Sequence, residues 1–412
     1  MSSTPGPLNE GAEPIRVVGD APVKVVILGG GFGGLATANT LRRLLPAKHS
    51  IMVVDKSPRF HVGAGQPWVM LGERTSAQIS ADRTTLLETG VEFLQSEISQ
   101  LDLAGRTIMT EDGPRRWDFL VIALGATLRP ETIPGLESAH TFYTVEGAEK
   151  LRPVLTDFTK GEIVMVIPKA PYKCPAAPYE GALLMQDFFG QRGLNDAVHI
   201  SIYTVEGTPL ATAGPEMGNF VRGQLSDQGI GFFTQKSVMG IDELSHRVEF
   251  ADGTSAEYDL LICVPPHEVP AVVRAARLVG PTGWIPVDPL TMEIKSVPSD
   301  GRVFAIGDVT TVPLPGRFKP EMGLVLPKAG TMAAAQGQVV AQRIADTVNG
   351  LTPTANFGGK GFCYLETGGG CAMKGEGSFF ELPHPVMTHQ EPSPAEFAGK
   401  LAWVAEHLKP RR

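Results

Sequence analysis

Two hydrophobic periods divide this chain. Compact apolar runs rich in Val and Ile occur at residues 25–28, 51–54, 117–124, 162–167, 258–264 and 303–306, which suits strands buried on both faces. Residues 199–205 add a further strand. Between the runs, apolar positions return at helical spacing: Leu35, Ala38, Leu41 and Leu45 after the first strand, then Leu183, Leu184 and Phe188 within 179–189. A long helix rich in Ala and Gln is predicted from residues 327–331 through Ile344. A last helix is predicted over 395–408, with Phe397, Leu401, Val404 and Leu408 on one side, accompanied by Trp403. Short strands at 91–93, 97–103 and 106–110, with a turn at Glu111-Asp112-Gly113, read as a meander. A small tail follows Asn356: a strand at 361–366, a turn at 368–370, and a return strand opened by Cys371 and Ala372. Strand–helix–strand order predicts an α/β fold of two Rossmann-like units plus a small C-terminal domain.

The junction of the first strand with the first helix carries the first chemistry. Gly29, Gly31 and Gly34 satisfy G-x-G-x-x-G, with Phe32 and Gly33 inside the turn. Gly29 allows the tight turn, Gly31 lets backbone approach a pyrophosphate, and Gly34 permits close helix–strand packing. The helix N-terminus adds unpaired N–H groups and a positive dipole end. Asp55, with Lys56 beside it, follows the second strand, where it can accept from a ribose hydroxyl. These parts, in this order, predict a dinucleotide site. Residues 60–71 mix aromatics, Gly and Pro, and read either as a cover over the bound nucleotide or as a packed surface loop.

The meander, returning to a strand that ends Ala123-Leu124-Gly125-Ala126-Thr127, resembles the flavin disulfide-reductase-like proteins. That resemblance implies FAD, with Gly125 and the glycine loop at one part of it. Gly307-Asp308-Val309, after the strand at 303–306, then matches the second flavin signature, whose Asp accepts from a ribityl hydroxyl. Lys328 opens the long helix, whose N-terminus can face the flavin's pyrimidine edge and stabilise negative charge there. The flavin segments are far apart, so the FAD domain is expected to be discontinuous, built from 23–150 and 285–350. Residues 151–284 form an inserted NAD-like domain and 351–412 the C-terminal one.

The second unit departs from nucleotide binding. Its loop reads Pro168-Lys169-Ala170-Pro171-Tyr172-Lys173-Cys174-Pro175, with no glycine between Ile167 and Gly181. Prolines remove N–H donors and side chains block close approach of a pyrophosphate, so a nicotinamide nucleotide should bind poorly. The loop offers a cysteine instead. The segments Lys173 to Glu180, Val264-Pro265-Pro266, Pro327-Lys328-Ala329-Gly330 and Cys363 then resemble the sulfide:quinone oxidoreductases and the flavoprotein of flavocytochrome c sulfide dehydrogenase. The resemblance implies sulfide oxidation with a quinone as acceptor, through a redox pair formed by Cys174 and Cys363. Glu180 matches the family's acid/base, although a first-turn glutamate also complements a helix dipole. Lys173 and the N-terminus of the following helix should lower the Cys174 pKa. Cys371 is a rival partner for Cys174. Tyr143 stands where many relatives have a third cysteine, and Gly147 where some have histidine, which bears on the length of the sulfur chain released.

Composition narrows the rest. The 412 residues carry a net charge of −8 with no polybasic run, which speaks against nucleic acid. Four cysteines in a chain this long are no disulfide scaffold, and Cys263, inside an apolar strand, reads as a small core residue. His267, in a loop after two prolines, reads as a surface residue. No metal site is expected. Residues 1–22 read as a disordered tail without the basic start and apolar core of a signal peptide. No run approaches the ~18–20 apolar residues of a membrane span. The expectation is a cytoplasmic-side protein peripheral to the membrane, its last helix either docked on the fold or lying in the interface, with homo-oligomerisation left open. Competing readings are a type II NADH:quinone oxidoreductase and a flavin redox sensor without turnover.

Overall fold

A computed structural model describes residues 21–296, 300–321 and 323–411. Most of the expected tail, residues 1–20, lies outside that range.

The first apolar runs assemble into a five-stranded sheet, in the spatial order Val303–Ala305, Phe119–Ile122, Lys24–Leu28, Ser50–Asp55, Glu92–Gln95. Every neighbour pair is parallel. Burial on both faces explains why these strands are unbroken apolar runs: Phe119, Leu120, Val121 and Ile122 are all fully buried. The helix Phe32–Leu44 crosses from the first strand to the second and packs against Gly330–Val348, the long Ala-rich helix. The contact is close because Gly337 faces the carbonyl of Gly33, where an added Cβ would come within 2.5 Å.

A second parallel sheet has the order Gly231–Phe233, Val198–Thr204, Gly161–Ile167, Leu260–Cys263. Each sheet carries an antiparallel meander. The first runs through Ile98–Asp102, Thr107–Thr110 and Gly113–Arg116, the second through Val238–Asp242, Arg247–Phe250 and Ser255–Glu257. The second meander was not anticipated from sequence. Its strands are short and half-exposed, so alternating polar residues mask their apolar pattern.

In the C-terminal part, Lys360–Gly368, Cys371–Ser378 and Val386–His389 form an antiparallel sheet. Its tight turn is built from Gly368, Gly369 and Gly370, all at positive φ. The helix Pro394–His407, N-capped by Ser393, packs on the middle strand of this sheet. Residues 60–71 are more ordered than a loop: a strand Arg59–His61, a tight turn Gly63–Gly65 and a short helix Gln66–Met70. Pro67 starts that helix and turns Trp68, Val69 and Met70 inward.

Candidate active site

A cavity of about 450 Å³ opens where the glycine loop, the cysteine loop, the Gly307-Asp308 turn and the C-terminal sheet converge. Gly31 and Gly33 belong to its wall. The two loop glycines Gly31 and Gly34 do different work. A Cβ on Gly34 would sit 1.9 Å from the Gly29 carbonyl oxygen, so packing alone demands glycine there. Among the described residues, a Cβ on Gly31 would touch no protein atom within 4 Å; Gly31 lines the cavity. Both helices that end here, Phe32–Leu44 and Gly330–Val348, lack a side-chain cap at the N-terminus. Their free N–H groups favour negative charge in the cavity.

Asp308 also lines the cavity, and among the described residues its carboxylate takes no hydrogen bond. Burial raises its pKa, opposed by Lys328 and Lys173. Lys328 Nζ donates to the carbonyls of Asp308 (2.7 Å) and Thr310 (2.9 Å) and stands 3.5 Å from the centre of the Trp284 ring. Burial brings its pKa down to about 8. Bare backbone at Gly31, two uncapped helix ends and an unpartnered carboxylate at Asp308 suit the pyrophosphate, flavin and ribityl parts of FAD. Phe32, Gly33, Gly125 and Lys328 line the same space. Four residues expected there do not line it: Gly29 and Gly34, which shape the turn, and Asp55 and Lys56. Asp55 accepts from the N–H groups of Gly30 (2.8 Å) and Ser57 (2.9 Å) and pairs with Arg83 at 3.2 Å. Lys56 is exposed. Arg83, which the sequence did not single out, lines the cavity.

Cys174 sits at φ 51°, in the left-handed region, held by its N–H to the Lys328 carbonyl (2.7 Å) and by its own carbonyl, which accepts from Ala177 N–H (2.9 Å). The Tyr143 hydroxyl also donates to that carbonyl, at 3.4 Å. Cys363 reaches the cavity from the strand Lys360–Gly368. Both are free thiols, close enough that a Cys363 thiolate opposes ionisation of Cys174. Cys371 lines no part of this cavity, its thiol facing the Gly369 carbonyl at the hairpin turn. The expectation of a lowered Cys174 pKa is corrected. Burial pushes the thiol up, Cys363 and Glu180 add to this, and Lys400 opposes them. Lys173 is itself desolvated, which lowers its own pKa. Cys363 is pushed up to about 11 by burial and by Glu180.

Glu180, in the first turn of the helix Ala177–Gln191, is fully buried. Its Oε1 accepts from Lys400 Nζ at 2.7 Å and from the Glu366 N–H at 2.9 Å. Lys400 also bonds Glu366, which accepts from Trp68 Nε1 at 2.8 Å. Burial raises the Glu180 pKa, while the Lys400 ammonium holds it down. Lys400 itself is kept protonated: burial works against its charge, and the two carboxylates more than offset this. Lys400 is a cavity-lining residue that sequence reasoning missed. Trp403, from the same helix, stacks on Phe32 at 5.6 Å.

His267 is not on the surface. It pairs opposite Leu128 and is fully buried, Nδ1 meeting the Pro265 carbonyl at 2.7 Å and Nε2 left, among the described residues, without a partner. Burial, with Lys173 and Lys328 nearby, lowers its pKa to about 3. Cys263 is buried in its strand, as expected, with burial raising its pKa to about 12.

Known proteins place this arrangement. The pyridine nucleotide-disulphide oxidoreductase family matches residues 23–167, and the central part of the sulfide dehydrogenase [flavocytochrome c] flavoprotein chain matches 148–202. The solved structure of the sulfide:quinone oxidoreductase from Aquifex aeolicus superposes with a TM-score of 0.81 at 22% identity, over 93% of this chain and 90% of that one. The fold is that of the sulfide:quinone oxidoreductases. The mitochondrial sulfide:quinone oxidoreductase of Mus musculus is 25% identical over 361 residues, 84% of this chain and 76% of its own. A type II NADH:quinone oxidoreductase from Staphylococcus haemolyticus is 23% identical, over 85% of this chain and 87% of its own. The resemblance drawn from the cysteine loop therefore extends across the chain, and these families and relatives indicate FAD.

Proposed function

We propose that this protein oxidises sulfide to sulfane sulfur and passes the electrons, by way of FAD, to a quinone. The observation that carries the reading is that Cys174 and Cys363, from distant segments, meet at the flavin cavity on the side where a nucleotide-binding relative would need glycine. When bound, FAD supplies the two-electron relay between sulfur and quinone.

The protein's own residues divide the work. In the oxidised pair, hydrosulfide attacks the Cys363 sulfur, forming a persulfide there and releasing Cys174 as a thiolate with the electron pair of the broken S–S bond. Burial makes that thiolate basic and electron-rich. The left-handed backbone at Cys174, pinned by Lys328 and Tyr143, fixes its position against the cavity. Lys400 and Glu180, hydrogen-bonded to each other and lining the same cavity, are placed to hand protons to a reduced quinone. A quinone resides in a bilayer, so peripheral membrane association belongs to the proposal; among the described residues, no helix is long and apolar enough to cross a membrane.

Anaerobic mixing with sulfide should bleach the bound flavin, and decyl-ubiquinone should restore it. In Cys174→Ser the bleaching should be lost; bleaching at the wild-type rate refutes the assignment. The similarity to type II NADH:quinone oxidoreductases supports a second reading, under which NADH would bleach the flavin instead.

A further inference from the structure

A second cavity, of about 370 Å³, adjoins the flavin cavity at Cys363. Cys363, Phe362 and Tyr364 line both. Its walls are largely apolar, with Met217, Met332, Met373 and Met387 among them, and one carboxylate, Glu206, interrupts them. Glu206 lies just past the strand Val198–Thr204, where a nucleotide-binding unit presents its ribose-binding acid. Here that acid is turned to another task. Its carboxylate accepts from the hydroxyls of Tyr172 (2.7 Å), in the cysteine loop, and Tyr179 (3.3 Å), in the helix that follows. Among the described residues no cation pairs with it.

We infer that this cavity admits neutral hydrogen sulfide and that Glu206 takes its proton before attack on Cys363. This rests on the sulfide-oxidising reading above and extends it. Three observations argue for the neutral form. An apolar, methionine-rich passage admits H2S more readily than an anion. The ammonium at this cavity among the described residues, Lys328, points its N–H donors at the backbone carbonyls of Asp308 and Thr310 rather than at an incoming anion. A lone carboxylate held by neutral donors is a base, not a half of an ion pair. The step balances: H2S gives one proton to the Glu206 carboxylate, and the resulting hydrosulfide forms a bond to the Cys363 sulfur. The Cys363–Cys174 bond of the oxidised pair breaks, and Cys174 leaves with the electrons. Two-electron oxidation, with quinone as the final acceptor by way of FAD, then joins the outer persulfide sulfur to Cys174; its proton goes to the quinone, and the pair closes again as a sulfur-bridged Cys174–S–Cys363 that the next hydrosulfide opens.

The groups facing Glu206 are the Tyr172 and Tyr179 hydroxyls and Thr204, with the Gln235 N–H on the Glu206 carbonyl. Lys236, next along, gives its ammonium to Asp252. Cys363, Tyr364 and Lys328 are the other titratable groups around the cavity. Burial raises the Glu206 pKa, opposed by the two tyrosines, which brings the base nearer to the operating pH, where proton transfer is most efficient.

The test is stopped-flow bleaching of the holoenzyme by sulfide across pH. Glu206→Gln keeps the tyrosine contacts but accepts no proton, so it uses only hydrosulfide. Its KM for total sulfide should rise about tenfold for each pH unit below the ionisation of H2S and approach wild type at alkaline pH. A deficit of the same size at every pH overturns the inference, since that is a structural effect. Tyr172→Phe removes one donor from the carboxylate and should move the acidic limb to higher pH; an unmoved limb likewise overturns it. Wild-type flavin that sulfide fails to bleach at any pH sinks the sulfide-oxidising reading, and this inference with it.

Discussion

Lys400, on the last helix, places its ammonium 2.7 Å from the carboxylate of Glu180, 220 residues earlier, and both are out of reach of solvent. The link ties the C-terminal helix to the helix that carries the cysteine loop, at the wall of the flavin cavity. Its stability and its chemistry are therefore joined.

Lys400→Met leaves Glu180 and Glu366 buried without their cation. Breaking a buried pair in this way should destabilise the protein by ~3–5 kcal/mol. Adding Glu180→Gln and Glu366→Gln should recover most of that loss. Denaturant unfolding of the single and triple variants checks the expectation, and a single-variant loss under about 1 kcal/mol would contradict it.

The two loop glycines should separate folding from cofactor retention. Gly31 has φ −82°, which any residue adopts, and among the described residues its Cβ would touch no protein atom within 4 Å. Gly31→Val should unfold like wild type yet purify without flavin colour. Gly34→Ala instead drives a methyl into the Gly29 carbonyl and should cost about 1–3 kcal/mol or more. Visible absorbance per mole of protein, read beside unfolding curves, distinguishes the two.

Three of the four cysteines invite a simple contrast. Cys363→Ser should abolish sulfide-driven bleaching, whereas Cys371→Ser should leave it unchanged, because Cys371 lines neither cavity. Loss of bleaching in Cys371→Ser alone would reverse their roles. Cys263→Ala, in the core strand, should lower stability without changing the sulfide reaction.

Acid sensitivity should trace in part to His267. Its folded-state pKa, lowered from 6.5 to about 3, lies below that of the unfolded chain. The unfolded state thus takes up the proton first, so the stabilisation is present above pH 6.5 and is lost as pH falls toward 3. The slope approaches about 1.4 kcal/mol per pH unit within that window. His267→Phe should flatten this limb in urea titrations; an unchanged slope would place the sensitivity elsewhere.

How far the sequence carried can be judged from these residues. The glycine loop and the strands around it were legible because spacing and periodicity are local. The cysteine loop was legible because the missing glycines and the prolines are local too. Lys400 was not, since its partners are set by a fold that brings distant segments together. His267 misled because two prolines suggest an exposed turn, while the pairing of His267 with Leu128 roofs it over. The direction of the Cys174 shift misled for a related reason: a neighbouring lysine is visible in sequence, whereas the burial that outweighs it is not. Glu206 could have been found, as an acid placed after the second strand of a nucleotide-like unit.

The strand Val303–Ala305 is the partner of Phe119–Ile122 in the first sheet. During synthesis, the apolar edge at Phe119–Ile122 therefore emerges from the ribosome long before the segment that covers it. Until then it presents open ladder groups to any passing strand. Co-translational shielding by a chaperone should govern the yield of this protein more than its final stability does.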